Sequence, residues 1–302
     1  MSIKSERLLS RAKKLLVKGK ITEAESIYLD ILSSSPKNKE AKDALLMINN
    51  RKQETLPMDN IQSAVSFLNS GRIKEAVDVI EPLIKNFQNE PLLYNIRGVC
   101  NKANKDYQAA LEDFSQAVML NPKYAEAYYN LGVSYGELSE IESAKESYKN
   151  ALRINSNYPT AQNNLGQILL TQGEFDASIE NFEWAIALKP DFAEAYNNLG
   201  NAFLGIEDLD NAIKSFKKAI TLKPDFAIAN NNLGIAYLRT GEKEIALEFF
   251  ENAIALIPSY ASAHHNLSSV KTYHENDSQV LQMESLLSNK ELSVQDQIYL
   301  SF

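Results

Sequence analysis

AEAYYNLGVSYGELSEIESAKESYKNALRINSNY, residues 125–158, returns in altered form as AEAYNNLGNAFLGIEDLDNAIKSFKKAITLKPDF, residues 193–226. The two stretches align without a gap. Leu-Gly recurs at 131–132, 165–166, 199–200 and 233–234, a step of 34 residues each time. Pro122, Pro190, Pro224 and Pro258 fall on the same grid, with Ser156 in the remaining slot. A fixed period of this length identifies stacked supersecondary units rather than one closed core. Frames follow at 91–124, 125–158, 159–192, 193–226 and 227–260. An earlier copy fits 57–90, and an isolated one fits 5–38 with Gly19, Ala24, Tyr28 and Pro36.

Each frame reads as two amphipathic helices, A over positions 1–14 and B over 17–31, joined by a short turn. Position 8 is Gly or Ala, and position 20 is small throughout: Ala24, Ala76, Ala110, Ala144, Ser178, Ala212 and Ala246. Small residues at both places let A and B approach closely. Position 24 is large (Tyr28, Ile80, Phe114, Tyr148, Phe182, Phe216, Phe250) and is expected to fill the layer between repeats. Proline at position 32 stops helix B. Nine of the eleven glycines occupy only two frame positions. Five are at 8 (Gly98, Gly132, Gly166, Gly200, Gly234) and four at 15 (Gly19, Gly71, Gly173, Gly241). The chain is therefore expected to be all-α, divided into 1–56, 57–264 and 265–302.

These residues resemble the tetratricopeptide repeat family. The resemblance rests on the 34-residue period, Leu-Gly at 7–8, Ala at 20, an aromatic at 24, Ala at 27 and Pro at 32. It implies a right-handed helical solenoid whose A helices line a concave groove, and a protein- or peptide-binding scaffold.

The 302 residues carry 31 Lys/Arg and 39 Asp/Glu, a net charge of −8. This acidity excludes a dedicated nucleic-acid binder, which needs a basic stripe against phosphates. One cysteine, Cys100, excludes an internal disulfide framework and is expected to be buried. No apolar run reaches the roughly 18 residues of a membrane span. The N-terminus lacks the apolar block of a signal peptide, so a cytoplasmic location is expected. Residues 1–56 are nevertheless basic, with 12 Lys/Arg against 7 Asp/Glu.

The concave face has its own pattern. Position 6 is asparagine in five successive frames: Asn130, Asn164, Asn198, Asn232 and Asn266. Position 5 adds Asn163, Asn197 and Asn231, and position 9 adds Gln167 and Asn201. A carboxamide donates two N–H groups and accepts at its oxygen, so it can pair with both polar groups of one peptide unit. A row of them holds an extended peptide by its main chain. The row resembles the asparagine ladder in the repeat arm of the O-linked N-acetylglucosamine transferases. An amide in this place also serves as a hydrogen bond between helices, and the sequence leaves both uses open. Replacing Asn164, Asn198 and Asn232 by Ala is expected to weaken partner binding with stability nearly unchanged. The Lys/Arg clamp of chaperone-tail binders is missing, because Arg239 stands alone. Frames 125–260 sum to −9, which favours a neutral or basic ligand.

No phosphate loop, dinucleotide fingerprint, nucleophile elbow or zinc-protease motif occurs, so no catalytic residue, metal or cofactor is expected. His264 and His265 are adjacent on a helix and point about 100° apart. His264 stands where the repeat packs an aromatic. Trp184 reads as core or convex surface, and Glu207 and Asp208 as turn caps. After His264 the frame decays. Asp277 or Ser278 is expected to cap a helix through Leu287, and Ser293 another, with Asp296 in the capping-box place. The segment 265–302 resembles the joint between such repeats and a sulfotransferase domain in bacterial proteins. That implies a second reading, the substrate-recruiting arm of a sulfotransferase or a glycosyltransferase. The apolar stub Ile298-Tyr299-Leu300-Phe302 is expected to self-associate.

Overall fold

The computed structural model describes residues 3–18, 20–273, 277–288 and 292–301; Gly19, His274 and Phe302 lie outside them. Among the described residues every regular element is an α-helix. The chain forms two compact units, Met1–Asn104 and Lys105–Phe302.

The first unit holds α1 (Ile3–Val17), α2 (Ile21–Ser34), α3 (Lys39–Glu54), α4 (Met58–Asn69), α5 (Ile73–Asn86) and α6 (Pro91–Ala103). One core gathers Leu9, Tyr28, Ile31, Ala41 and Ile48 from α1–α3. Another gathers Ile61, Ala76, Ile80, Leu93 and Cys100 from α4–α6, with Cys100 fully buried.

The second unit begins with α7 (Tyr107–Leu120), the B helix of frame 91–124. Three complete repeats follow as α8 (Ala125–Glu137) with α9 (Ile141–Ile154), α10 (Pro159–Thr171) with α11 (Phe175–Leu188), and α12 (Ala193–Gly205) with α13 (Leu209–Leu222). A fourth pairs α14 (Ala227–Thr240) with α15 (Lys243–Leu256). The unit closes with α16 (Ala261–Ser268), α17 (Ser278–Leu287) and α18 (Val294–Leu300). Helix B ends at frame position 30, one residue sooner than the pattern suggests. Lys189 and Lys223, which precede prolines, are held extended (φ −137°, ψ 88°), and Asn155, before Ser156, is equally extended (φ −133°, ψ 96°), so the stop does not depend on the proline alone.

Position 8 has a concrete cause. A Cβ built on Gly132, Gly166, Gly200 or Gly234 would lie 2.5–2.7 Å from the ring of Tyr148, Phe182, Phe216 or Phe250. The position-24 ring thus lies on the glycine of its own repeat, rather than only between repeats. Its far side reaches the next A helix, as Phe182 does with Leu199 and Ala202.

The turn between A and B has a cause of the same kind. Position 15 is left-handed in each described frame from 57 onward. It is Gly71, Gly173 and Gly241 in three frames, and Lys105, Ser139 and Glu207 (φ 61–62°) in the others. The next N–H then reaches back to the helix, as in Glu140 N to Tyr135 O at 2.9 Å and Asp208 N to Phe203 O at 2.9 Å. This satisfies a carbonyl the helix end would leave unpaired.

The end of the chain is partly packed. Leu300 is buried with Ala261 and Met283, and Tyr299 packs against the same cluster. These two residues of the stub are folded against α16 and α17. Among the described apolar residues of α18, Val294 and Ile298 are exposed. The caps form as the sequence suggests. Asp277 accepts from Gln279 N at 2.9 Å, and Ser293 accepts from Asp296 N at 3.1 Å while donating to its carboxylate at 2.7 Å.

Candidate peptide-binding face

Within the second unit, A helices of successive repeats approach one another more closely than the B helices do. That difference puts the A helices on the inside of the curve. Alternation along each A helix then sorts its residues. Ala127, Ala161, Ala195 and Ala229 at position 3 are fully buried. Gln167, one of the position-9 residues, is exposed, and Asn201 half-buried.

The amides of positions 5 and 6 join repeat to repeat. Asn198 Nδ2 donates to Asn163 Oδ1 at 3.0 Å, Asn232 to Asn197 at 3.0 Å, and Asn266 to Asn231 at 2.8 Å. Inside a repeat, Asn163 donates to Asn164 and Asn197 to Asn198, each at 3.4 Å. The position-5 acceptors Asn163, Asn197 and Asn231 are buried, and the position-6 donors Asn164, Asn198, Asn232 and Asn266 are half-buried. The row ends where position 5 becomes Tyr129. There Asn164 Nδ2 donates to Tyr148 Oη at 3.3 Å instead. Burial pushes the Tyr148 phenol up to about 12, against the opposing effect of that bond. Tyr129 packs in tilted ring contacts with Tyr158 (centroids 4.9 Å apart) and Tyr148 (5.8 Å). Asn130 is buried.

This network corrects the expectation that the triple alanine variant keeps its stability. Removing Asn198 or Asn232 leaves a buried carboxamide oxygen without its donor, at about 1–3 kcal/mol each. The pairing of position 6 with the preceding position 5 is legible only with structure, because those residues are 35 apart.

The amides are not exhausted. Each of Asn198 and Asn232 commits one N–H to its neighbour and keeps the other. Gln167 and Asn201 make no side-chain hydrogen bond among the described residues. Exposed Glu126 and Glu194 sit at position 2, at the start of two A helices. Arg239, in the last turn of α14, donates to Leu204 O at 3.0 Å. The face is a polar strip lined by amide donors and acceptors, with Glu194 paired to Lys223 at 3.0 Å.

The remaining candidates are structural. His264 is fully buried, bonds Pro258 O through Nε2 at 2.9 Å and meets Gln279 through Nδ1 at 3.5 Å. Burial lowers its pKa, and the bond to Pro258 opposes this. Among the described residues no cluster of His, Cys, Asp and Glu is placed to hold a metal. Among them no helix is long and apolar enough to cross a membrane. Trp184 is 55% exposed on a B helix, and Asp208 caps α13.

Tetratricopeptide-repeat family models match residues 163–225, 201–261 and 125–158, and a further TPR-repeat model matches 102–139. No curated protein sequence matches the chain. Among solved structures, it is similar to MamA (27% identity, TM-score 0.50, covering 54% of this chain and 96% of that one). It is also similar to YrrB, described as a TPR protein with an unusual peptide-binding site (24%, 0.54, 62% and 96%). Cut9 in the APC/C Cut9–Hcn1 hetero-tetramer spans more of the chain at lower identity (18%, 0.64, 97% and 54%). None of these matches supports the resemblance of 265–302 to a sulfotransferase joint.

Proposed function

Since this chain carries tetratricopeptide repeats, we propose that it is a non-catalytic scaffold that holds an extended protein segment along the A helices of 125–268. The carrying observation is the row of half-buried amides at one per repeat, each with an N–H left after the inter-repeat bonds are made. An extended segment presents N–H and C=O groups along its length, which such a row can pair without selecting side chains. Gln167 and Asn201 add uncommitted amides beside the row. The acidic balance of 125–260 favours a neutral or basic segment.

Gln167 and Asn201 separate binding from folding, because neither side chain makes a hydrogen bond among the described residues that truncation would break. The experiment selects binders from a random-peptide display library on the intact protein and re-measures them on Gln167→Ala/Asn201→Ala. The expected result is a loss of tenfold or more in affinity at unchanged Tm. Binders indifferent to both substitutions would overturn this location of the site.

A further inference from the structure

The first unit contains a groove of about 1320 Å³ bounded by α1, α2 and α3. Its walls are mainly apolar: Leu16 and Val17 from α1, Ala44, Met47 and Ile48 from α3, with Tyr28 of α2 as the floor. Val17 is 89% exposed and Met47 63%, so their apolar surface is uncovered. Two such residues facing one groove mark an interaction surface rather than ordinary scatter.

The sequence grid explains the opening. α3 begins 34 residues after the start of frame 5–38, so it occupies the place of the next A helix. In the second unit the seam between successive A helices is closed by an amide at position 6 reaching an amide at position 5. Here position 6 is Ala44 and the preceding position 5 is Leu9; between α4 and α6 the same two places hold Ile96 and Ile61, both buried in one core, whereas the short Ala44 leaves its seam unfilled. What crosses the seam is the ion pair of Lys13 with Glu40. Below it the seam stays open.

The dimensions and charge narrow the occupant. The groove runs from Ile21 at one end of α2 to Ser35 and Lys39 beyond the other. A 14-residue helix such as α2 spans about 21 Å. The volume exceeds the roughly 300–1,000 Å³ of small-molecule sites. With Lys13 and Glu40 paired, Lys37, Lys39 and Asp43 remain at the edge, and among the described residues Lys37 and Lys39 form no ion pair. The surrounding 1–56 is basic. We propose that this groove receives one amphipathic helix of a partner protein, about four turns long, with an apolar stripe and acidic flanks. Its stripe covers Val17 and Met47, and its carboxylates meet Lys37 and Lys39.

The test uses the full chain and a labelled 18-residue helical peptide with Leu at i, i+3, i+4 and i+7 spacing and Glu elsewhere. The control peptide keeps the leucines and carries Lys in place of Glu. Fluorescence anisotropy is expected to show the Glu peptide binding at least tenfold tighter than the Lys peptide, with affinity falling as salt rises. Met47→Glu and Val17→Glu, both at exposed positions, are each expected to weaken it tenfold or more at unchanged Tm. Equal binding of both peptides, no binding at 100 µM peptide, or indifference to both substitutions would overturn the proposal. So would chain dimers that vanish in Met47→Glu, which would make a second copy the occupant. Tighter binding to phosphatidylserine vesicles than to the Glu peptide would likewise replace a helix with a lipid surface.

Discussion

Gly200→Ala adds one methyl group at the tightest place in a repeat. The new Cβ would lie 2.5 Å from Phe216 Cε1 and 2.7 Å from Cδ1. Ordinary carbon contacts sit at about 3.5–4.0 Å, so the ring must retreat by about 1 Å. Phe216 is fully buried and packs with Leu233 and Ala236 of the next repeat, so the retreat pushes into a second interface. Overpacking of this kind costs about 1–3 kcal/mol. Alanine in place of a helical glycine returns about 1 kcal/mol. The net expectation is a loss of up to about 2 kcal/mol. Gly136→Ala provides the contrast, since a Cβ there meets nothing within 4 Å. It keeps only the helix-propensity gain, about 1 kcal/mol of stabilisation. Urea unfolding of both variants beside the parent measures the difference, and amide exchange in α12 and α13 reports whether the loss is local. Equal stabilisation by both substitutions would refute the argument that the position-24 ring dictates glycine at position 8.

Ser139→Gly and Glu207→Gly relieve left-handed non-glycine turns at φ 61° and 62°, and each is expected to raise stability by about 0.5–1 kcal/mol in urea unfolding. Asn232→Ala, which deprives the buried Asn197 oxygen of its donor, is expected to cost about 1–3 kcal/mol, read as a lower urea midpoint. His264 has its pKa lowered by burial, so the folded state disfavours the imidazolium. The stability it contributes is complete above its ordinary value near 6.5 and is lost as pH falls through the lower folded value. Protection factors in α16 and α17, the exchange rates divided into the intrinsic rate at each pH, should therefore fall on acidification below pH 6.5, and His264→Phe should flatten that dependence.

The repeats were legible because each position answers to a short-range demand that recurs. Gly200 answers to Phe216 within one repeat, and Gly173 to a left-handed turn. Pro190 answers to the end of α11. Caps at Asp277 and Ser293 are equally local. What escaped the sequence lay across longer distances. The amide row was visible in Asn164, Asn198 and Asn232, but not its bonding to the preceding repeat, which needs the offset between neighbouring A helices. The fate of Tyr299 and Leu300 depended on packing against Ala261 and Met283, which no period announces. The groove beside Met47 was hidden for the converse reason: it arises where the short Ala44 stands at the place that Ile96 or an asparagine fills in other seams.

Main-chain recognition by the amide row is tested most directly by scanning a selected peptide binder in two ways. One series methylates each peptide nitrogen, and the other replaces each side chain by alanine. Loss of tenfold or more at several methylated nitrogens, with alanine replacements nearly neutral, is the predicted result. Affinity that survives methylation but collapses on alanine replacement would contradict it, and would assign recognition to side-chain pockets instead.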